Sequence, residues 1–345
     1  MREYIDKLYE TQSLTREEFF GLLANRSEET DAYAGKLACQ VRQREYGDRI
    51  FIRGLIEFTN YCKNDCYYCG IRRSNSNVQR YRLNEEDILE CCREGYALGF
   101  RTFVLQGGED GYYHEERMVG LIKAIKKEYP DCALTLSVGE KKEEVYRAYR
   151  EAGADRYLLR HETADEEHYR KLHPKELSGA RRKECLKTLK KLGFQTGAGF
   201  MVGSPYQTTD TLVEDFLFLK ELDPQMVGIG PFISHKDTPF RDEANGILAD
   251  TLFYLALLRL MLPKVLLPAT TALGTIHPRG REMGVLSGAN VVMPNLSPVA
   301  VRKKYQLYDG KICTGDEASE CIGCMKRRME RIGCRIVTDR GDYKG

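Results

Sequence analysis

Apolar residues along this chain follow two alternating rhythms. Apolar, strand-like runs at residues 50–59, 102–107, 133–139, 156–162, 195–203, 226–233, 265–271 and 290–294 predict eight strands. Between them apolar positions recur three and four apart, which predicts helices over 85–97, 115–128, 142–152, 180–192, 208–222 and 247–262. Helical segments end at Gly99, Gly153 and Gly193, Gly288 closes another connection, and each next strand starts two or three residues on, as in the αβ loops of a parallel sheet. Eight such units predict an α/β fold, a (β/α)8 TIM-type barrel over 49–305, with an open doubly wound sheet as the alternative. Residues 1–48 are charged and helix-forming, with Thr15 and Glu18 spaced as a capping box, and predict a helical extension. Residues 306–345 form a tail.

The strand pattern places polar groups where a barrel normally holds Val, Ile and Leu. Side chains alternate along a strand, so 156–162 carries Arg156, Leu158, Arg160 and Glu162 on one face and Tyr157, Leu159 and His161 on the other. Turned inward, two arginines and a glutamate would need partners, because an unpaired buried ion costs more than the roughly 5–15 kcal/mol that stabilises a whole domain. Arg53 and Glu57, Gln106, Thr135 and Ser137, and Thr270 and Thr271 extend the same face to the neighbouring strands and predict a polar cavity along the barrel. Arginines beside hydroxyls and an amide suit an anionic substrate, since guanidinium binds carboxylates through two parallel hydrogen bonds. Gly197, Gly199, Gly228 and Gly230 would let backbone approach a ligand closely.

Composition narrows the class. The chain has 345 residues, 42% of them hydrophobic and 30% charged, enough for one large core. A net charge of +2 argues against general nucleic-acid binding, and the longest apolar stretch, 253–263, contains Arg259 and is too short for a membrane span. Twelve cysteines in a chain of this size, opening Met1-Arg2-Glu3-Tyr4 without a secretory pattern, are expected to be reduced thiols in a cytoplasmic protein. Cys91, Cys92, Cys132 and Cys185 fall in helix or pre-strand patterns and read as packing residues. His114, His168, His173 and His277 read as surface residues, while His161 and His235 fit either surface or interior.

Cys62, Cys66 and Cys69 stand apart, in C-x3-C-x2-C spacing on the loop after the first strand, the end where α/β proteins gather their chemistry. Three thiolates are one short of a closed zinc or iron–sulfur site, so a four-iron cluster held there would leave one iron open to a small molecule. A zinc knuckle completed by a distant residue is the alternative. Gln106-Gly107-Gly108-Glu109-Asp110 follows the second strand, where glycines let backbone approach a ligand. Cys313, Cys321 and Cys324, as C-x7-C-x2-C, read as a second metal site with Cys334 as a candidate fourth ligand.

The cysteine triplet, with aromatic Tyr68 before its last member, resembles that of the radical S-adenosylmethionine (SAM) superfamily. Arg156–Thr163, Thr196–Gly199, Met226–Phe232, Pro268–Ala272 and Tyr305–Tyr308 resemble the HydE family of [FeFe]-hydrogenase maturases over about residues 50–325. The Tyr-Asn-His-Asn-Leu-Asp string of biotin synthase is missing. The resemblance implies a [4Fe-4S] cluster on Cys62, Cys66 and Cys69, and SAM contacts from Tyr68, Gly107, Gly108, Glu109, Ser137, Glu162 and Arg182. It further implies a substrate cavity lined by Arg53, Gln106, Thr135, Arg156, Arg160, Met226, Thr270, Thr271 and Tyr305, and a second, surface iron–sulfur cluster on Cys313, Cys321 and Cys324. The implied activity is reductive cleavage of SAM to a 5′-deoxyadenosyl radical. That radical would act on a cysteine-bound Fe(CO)2(CN) species from the partner HydG to give a diiron-site precursor for the scaffold HydF, with a low-potential electron donor. No protein general acid, base or nucleophile is expected. The alternatives are a radical SAM enzyme of the methylornithine synthase or biotin synthase type, and a non-catalytic iron–sulfur carrier or scaffold.

Overall fold

The computed structural model of the chain describes residues 1–315 and 318–345. Its strands are β1 (Arg49–Ile52), β2 (Gly54–Thr59), β3 (Thr102–Gly107), β4 (Ala133–Ser137), β5 (Arg156–Leu158), β6 (Gln195–Ala198), β7 (Met201–Val202), β8 (Met226–Val227), β9 (Gly230–Pro231), β10 (Val291–Val292) and β11 (Arg335–Val337). The order β2-β3-β4-β5-β6-β8 forms one parallel sheet. Single parallel bridges continue it from Met226 to Leu266 and from Pro268 to Val291, β10 pairs with β1, and Leu55 bridges Asn295, so the sheet closes as a (β/α)8 barrel.

Four expected strands differ in detail. The run 50–59 breaks at Arg53 because its halves have different neighbours, β1 lying between β10 and β11 and β2 beside β3. The runs 195–203 and 226–233 break opposite each other. A Cβ on Gly199 would sit 2.0 Å from the Gly228 carbonyl oxygen, so the two backbones meet where only glycine fits, and pairing resumes as β7 with β9. The run 265–271 survives only as two bridges, because Pro268 has no N–H to donate and Thr271 already opens the helix Thr271–Ile276.

Local chemistry sets the helices. Thr15, Ser27, Asn84 and Thr208 each close a capping box at the helix they precede. Gly99, Gly153 and Gly193 have φ of +94°, +113° and +78°, the left-handed stop expected of them. The N-terminal helices join the barrel's own core. Phe19 stacks on Phe216 at 5.3 Å, and Glu28–Tyr46 packs on Leu248–Met261, a helix apolar nearly all round because it is covered on both sides. Cys91, Cys92, Cys132 and Cys185 are buried, as expected of packing residues.

The tail contributes an element that the sequence pattern did not announce. β11 pairs in parallel with β1, and residues 340–343 run beneath the barrel. There Arg156, fully buried, donates to Thr102 Oγ1 (3.1 Å), the Arg340 carbonyl (2.7 Å), Asp342 Oδ1 (2.7 Å) and Gln195 Oε1 (3.3 Å). The placement of Arg156 in the substrate cavity is corrected accordingly: the tail consumes its donors at the N-terminal ends of the strands, opposite the cysteine loop.

Candidate active site

The cysteine loop leaves β2 at Thr59 and is held by three neighbours. Lys63 N–H donates to the Glu109 carbonyl (3.0 Å), Tyr67 N–H to the Leu172 carbonyl (3.0 Å) and Gly70 N–H to the Leu307 carbonyl (2.8 Å). Asp65 folds the loop back on itself by accepting from Ser74 Oγ (2.6 Å) and pairing with Arg72 (2.8 Å). Close packing explains two glycines here. A Cβ on Gly108 would lie 2.2 Å from the Tyr61 carbonyl oxygen and 2.7 Å from Cys62 Cβ, and one on Gly70 would lie 2.2 Å from the Gln306 carbonyl oxygen. Burial pushes the Cys66 thiol up to about 12, partly opposed by the charge of Arg182, and pushes Cys69 well above its ordinary value. Thiolates so placed need a compensating positive charge, which iron supplies. No three His, Cys, Asp or Glu among the described residues converge as one ion would require. Thiolates of an iron–sulfur cube bind separate irons, so this donor set fits a cluster and leaves its fourth iron open.

Beside Cys69 a cavity of about 240 Å³ opens at the C-terminal ends of the strands. Of the residues expected at the site, Tyr68, Gln106, Arg160, Glu162, Thr270 and Thr271 line it together with Cys69. Arg160 Nη2 stands 3.0 Å from Glu162 Oε2, close enough for charge pairing but not aligned as a hydrogen bond. As a result Arg160 Nε and Nη2, Glu162 Oε2 and Thr270 Oγ1 are buried without a hydrogen-bond partner among the described residues. Each such atom costs about 1–3 kcal/mol, more when charged, and together they fit a bound molecule carrying both acceptors and donors. Glu162 also has φ of +66°, a left-handed conformation costing a non-glycine residue about 1–2 kcal/mol.

Tyr68 is fixed by a histidine that the sequence pattern left on the surface. His173 is fully buried; its Nδ1 lies 3.0 Å from the Tyr169 carbonyl, which can only accept, so Nδ1 carries the proton. Burial lowers His173 to about 3 and keeps it neutral, so Nε2 is bare and the Tyr68 hydroxyl donates to it at 3.1 Å. His168 is buried as well, between Thr163 Oγ1 (3.0 Å) and the Pro205 carbonyl (2.9 Å). Both surface assignments are corrected: polar sequence neighbours did not reveal partners brought by the fold.

The other expected residues surround the cavity at different heights. Gly107 and Gly108 pack on Thr59 and Cys62, while Glu109 accepts from Glu140 N–H (3.1 Å) and pairs with Lys63 (3.1 Å), tying the next loop to the cysteines. Ser137 ends β4 in register with Gln106, and the Tyr305 hydroxyl accepts from Gln106 Nε2 (3.4 Å). Arg182 pairs with Glu140 (2.9 Å) beside the cysteine loop. Arg53, Thr135 and Met226 are not in the cavity wall but buried outside it. Arg53 Nη1 meets Met226 Sδ at 2.9 Å, and Arg53 Nε and Nη2 and Thr135 Oγ1 have no partner among the described residues. Burial, and then the charge of Arg156, holds the Arg53 guanidinium well below its ordinary value.

Of the charged residues that line the cavity, Lys311 was missed. Lys311 Nζ reaches Glu57 Oε1 (2.5 Å) and the Tyr305 carbonyl (2.9 Å), and Glu57 Oε2 accepts from Asn295 (2.8 Å). Residues 305–311 are tied to β2 through Glu57 and to the cysteine loop through the Leu307 carbonyl, which accepts from Gly70 N–H. The Tyr305–Tyr308 string just before Lys311 was the available signal.

In the tail, Cys321 and Cys324 lie one turn apart on the helix Ala318–Glu330, and Cys321 hydrogen-bonds Cys313. Arg281 donates to Cys313 Sγ (3.6 Å), and the thiols of Cys324 and Cys313 help raise Arg328, whose main partner is Glu282. Three thiols beside cations fit an anionic cluster. Cys334 is corrected as a candidate ligand: it lies past the far end of that helix, beside Arg42 and Cys39.

Residues 56–219 match the family model of the radical SAM superfamily. The chain is 48% identical over 343 residues to the [FeFe] hydrogenase maturase subunit HydE of Thermotoga maritima, covering 99% of this chain and 97% of that protein. It is 32% identical over 335 residues to 3-methylornithine synthase of Methanosarcina barkeri, covering 96% and 92%. The crystal structure of methylornithine synthase PylB superposes with a TM-score of 0.84 at 30% identity, covering 97% of each chain.

Proposed function

The chain belongs to the radical SAM superfamily and, within it, to the family of the [FeFe]-hydrogenase maturase subunit HydE, and on that premise we propose that it carries out a radical step in building the diiron site of a hydrogenase. The observation that carries this reading is the 48% identity sustained over 99% of the chain. Enzymes of this superfamily use a [4Fe-4S] cluster and SAM, which together supply a 5′-deoxyadenosyl radical.

In the reading we propose, Cys62, Cys66 and Cys69 hold the cluster. Tyr68, Ser137, Glu162, Arg182 and the Gly107–Glu109 turn position SAM. Arg160, Gln106, Thr270 and Thr271, joined by Glu57 and Lys311, receive the substrate, a cysteine-bound Fe(CO)2(CN) species supplied by HydG. Its product would pass to HydF, and the electron would come from a low-potential donor. The unfilled donors of Arg160 suit a carboxylate or cyanide, and the free oxygen of Glu162 suits an ammonium. The protein's part is orientation and exclusion of water: residues 307, 308 and 311 line the cavity and are tied to the cysteine loop and β2, and no side chain is needed as a general base.

A second reading, an amino-acid substrate such as lysine, is favoured by the 3-methylornithine synthase likeness and by the two opposite-charge pairs in the cavity. Incubating cluster-loaded protein with SAM, reductant and either the iron complex or lysine separates the two. Consumption of the iron complex coupled to 5′-deoxyadenosine formation supports the first reading; coupled consumption of lysine alone overturns it.

A further inference from the structure

Glu162 holds a left-handed backbone at the cavity, and both flanks of that residue are tied to one carboxylate outside it. Asp215, on the helix Thr209–Leu222, is fully buried. Its Oδ1 accepts from Ala164 N–H at 2.7 Å and lies 3.2 Å from His161 Nε2. His161 Nδ1 accepts from Gly199 N–H (3.3 Å), so the ring proton sits on Nε2 and is donated to Asp215. Phe218 packs edge-on at 4.9 Å against the imidazole and Phe200 flanks it at 6.2 Å, which leaves the ring no other seat. Between the two anchors, Glu162 N–H donates to the Gly199 carbonyl (3.1 Å) and the Glu162 carbonyl accepts from Met201 N–H (3.2 Å). One carboxylate oxygen thus spans residues 161–164 and holds a conformation that the intervening residue does not adopt readily.

We propose that Asp215 and His161 are positioning residues, acting through the backbone of Glu162 to aim its carboxylate, with Arg160, at the ligand in the cavity. Neither group lines the cavity. A purely packing role would not need a carboxyl group in a site of zero exposure, nor a histidine whose two ring nitrogens are spent on Asp215 and on Gly199 N–H. Burial raises the Asp215 carboxyl well above the usual range, and an amide of the same shape keeps the oxygen that accepts from Ala164 N–H and His161 Nε2.

The inference rests on the reading that Glu162 contacts SAM, so both are tested together. Cluster-loaded wild type, Asp215→Asn, Asp215→Ala, Glu162→Gln and the Asp215→Ala/Glu162→Gln double variant are compared for iron content, thermal midpoint, SAM dissociation constant by equilibrium dialysis, and kcat and KM for SAM. Asp215→Ala should weaken SAM binding by about tenfold, the usual scale for loss of an orienting partner, whereas Asp215→Asn keeps the accepting oxygen and should stay within about threefold of wild type. In the Glu162→Gln background the further effect of Asp215→Ala should fall below about threefold, because the two act as one unit. Unchanged SAM affinity in Asp215→Ala, or effects that multiply in the double variant, overturns the proposal. Unchanged affinity in Glu162→Gln instead refutes the reading on which it rests. Should Asp215→Ala not load iron, His161→Gln, which keeps the Nε2 donor and drops the Nδ1 acceptor, replaces it in the same comparison.

Discussion

Arg156 and Arg160 occupy the same inward face, four residues apart, and meet opposite conditions. Every guanidinium nitrogen of Arg156 is hydrogen-bonded at the lower end of the barrel, as is every one of Arg259 nearby, whereas Arg160 at the upper end keeps Nε and Nη2 without a partner among the described residues. Folding alone favours the first arrangement, because a buried donor left unmade costs more than a made one returns. The second persists where a bound molecule completes it. The tail thus saturates Arg156 for stability, though Arg53 and Thr135 beside it keep atoms without a partner among the described residues, and the cysteine loop, Arg160 and Glu162 leave the upper end open to ligand.

That contrast breaks most sharply at Arg156. Arg156→Ala removes the hydrogen bonds to Thr102, the Arg340 carbonyl, Asp342 and Gln195 and should cost about 3 kcal/mol of stability while leaving SAM affinity in the folded protein unchanged, as denaturant titration and dialysis would show. Arg160→Ala should do the reverse, lowering turnover by about thirtyfold, or about 2 kcal/mol, with little change in the denaturation midpoint.

The two arginines also mark where the sequence stopped being informative. Alternation along 156–162 identified the inward face, and the cysteine triplet identified the upper loop, because both signals are local. Height in the barrel is not local. What fixes Arg156 is Asp342, brought beneath it by a three-residue strand whose pairing with β1 no periodicity could announce. Lys311 was hidden likewise in a tail read for its cysteines and for Tyr305–Tyr308, and His168 and His173 in polar stretches whose partners lie in other loops.

The lower end should also carry a pH signature. Burial alone would raise the Asp342 carboxyl, but the Arg340 hydrogen bond and the Arg156 charge outweigh it and hold the group well below the usual carboxylate range. A depressed folded-state value contributes stability that is complete above the unfolded value, near 4, and is lost as pH falls toward the folded one. Wild type should therefore exceed Asp342→Asn in stability by a constant margin above about pH 5, a margin that shrinks below about pH 4. The smallest effect is expected at the tail thiols: Cys321→Ala with Cys324→Ala should leave SAM cleavage within about twofold of wild type, since neither residue lines the cavity. Loss of cleavage in that variant, with the first cluster retained, would place the tail site in the chemistry.

The most direct test of the upper end is anaerobic loading with iron and sulfide, followed by SAM and a reductant, with chromatography for 5′-deoxyadenosine in wild type and Cys66→Ala. The account predicts the product from wild type and none from the variant. An intact cluster in wild type that yields no 5′-deoxyadenosine would contradict it.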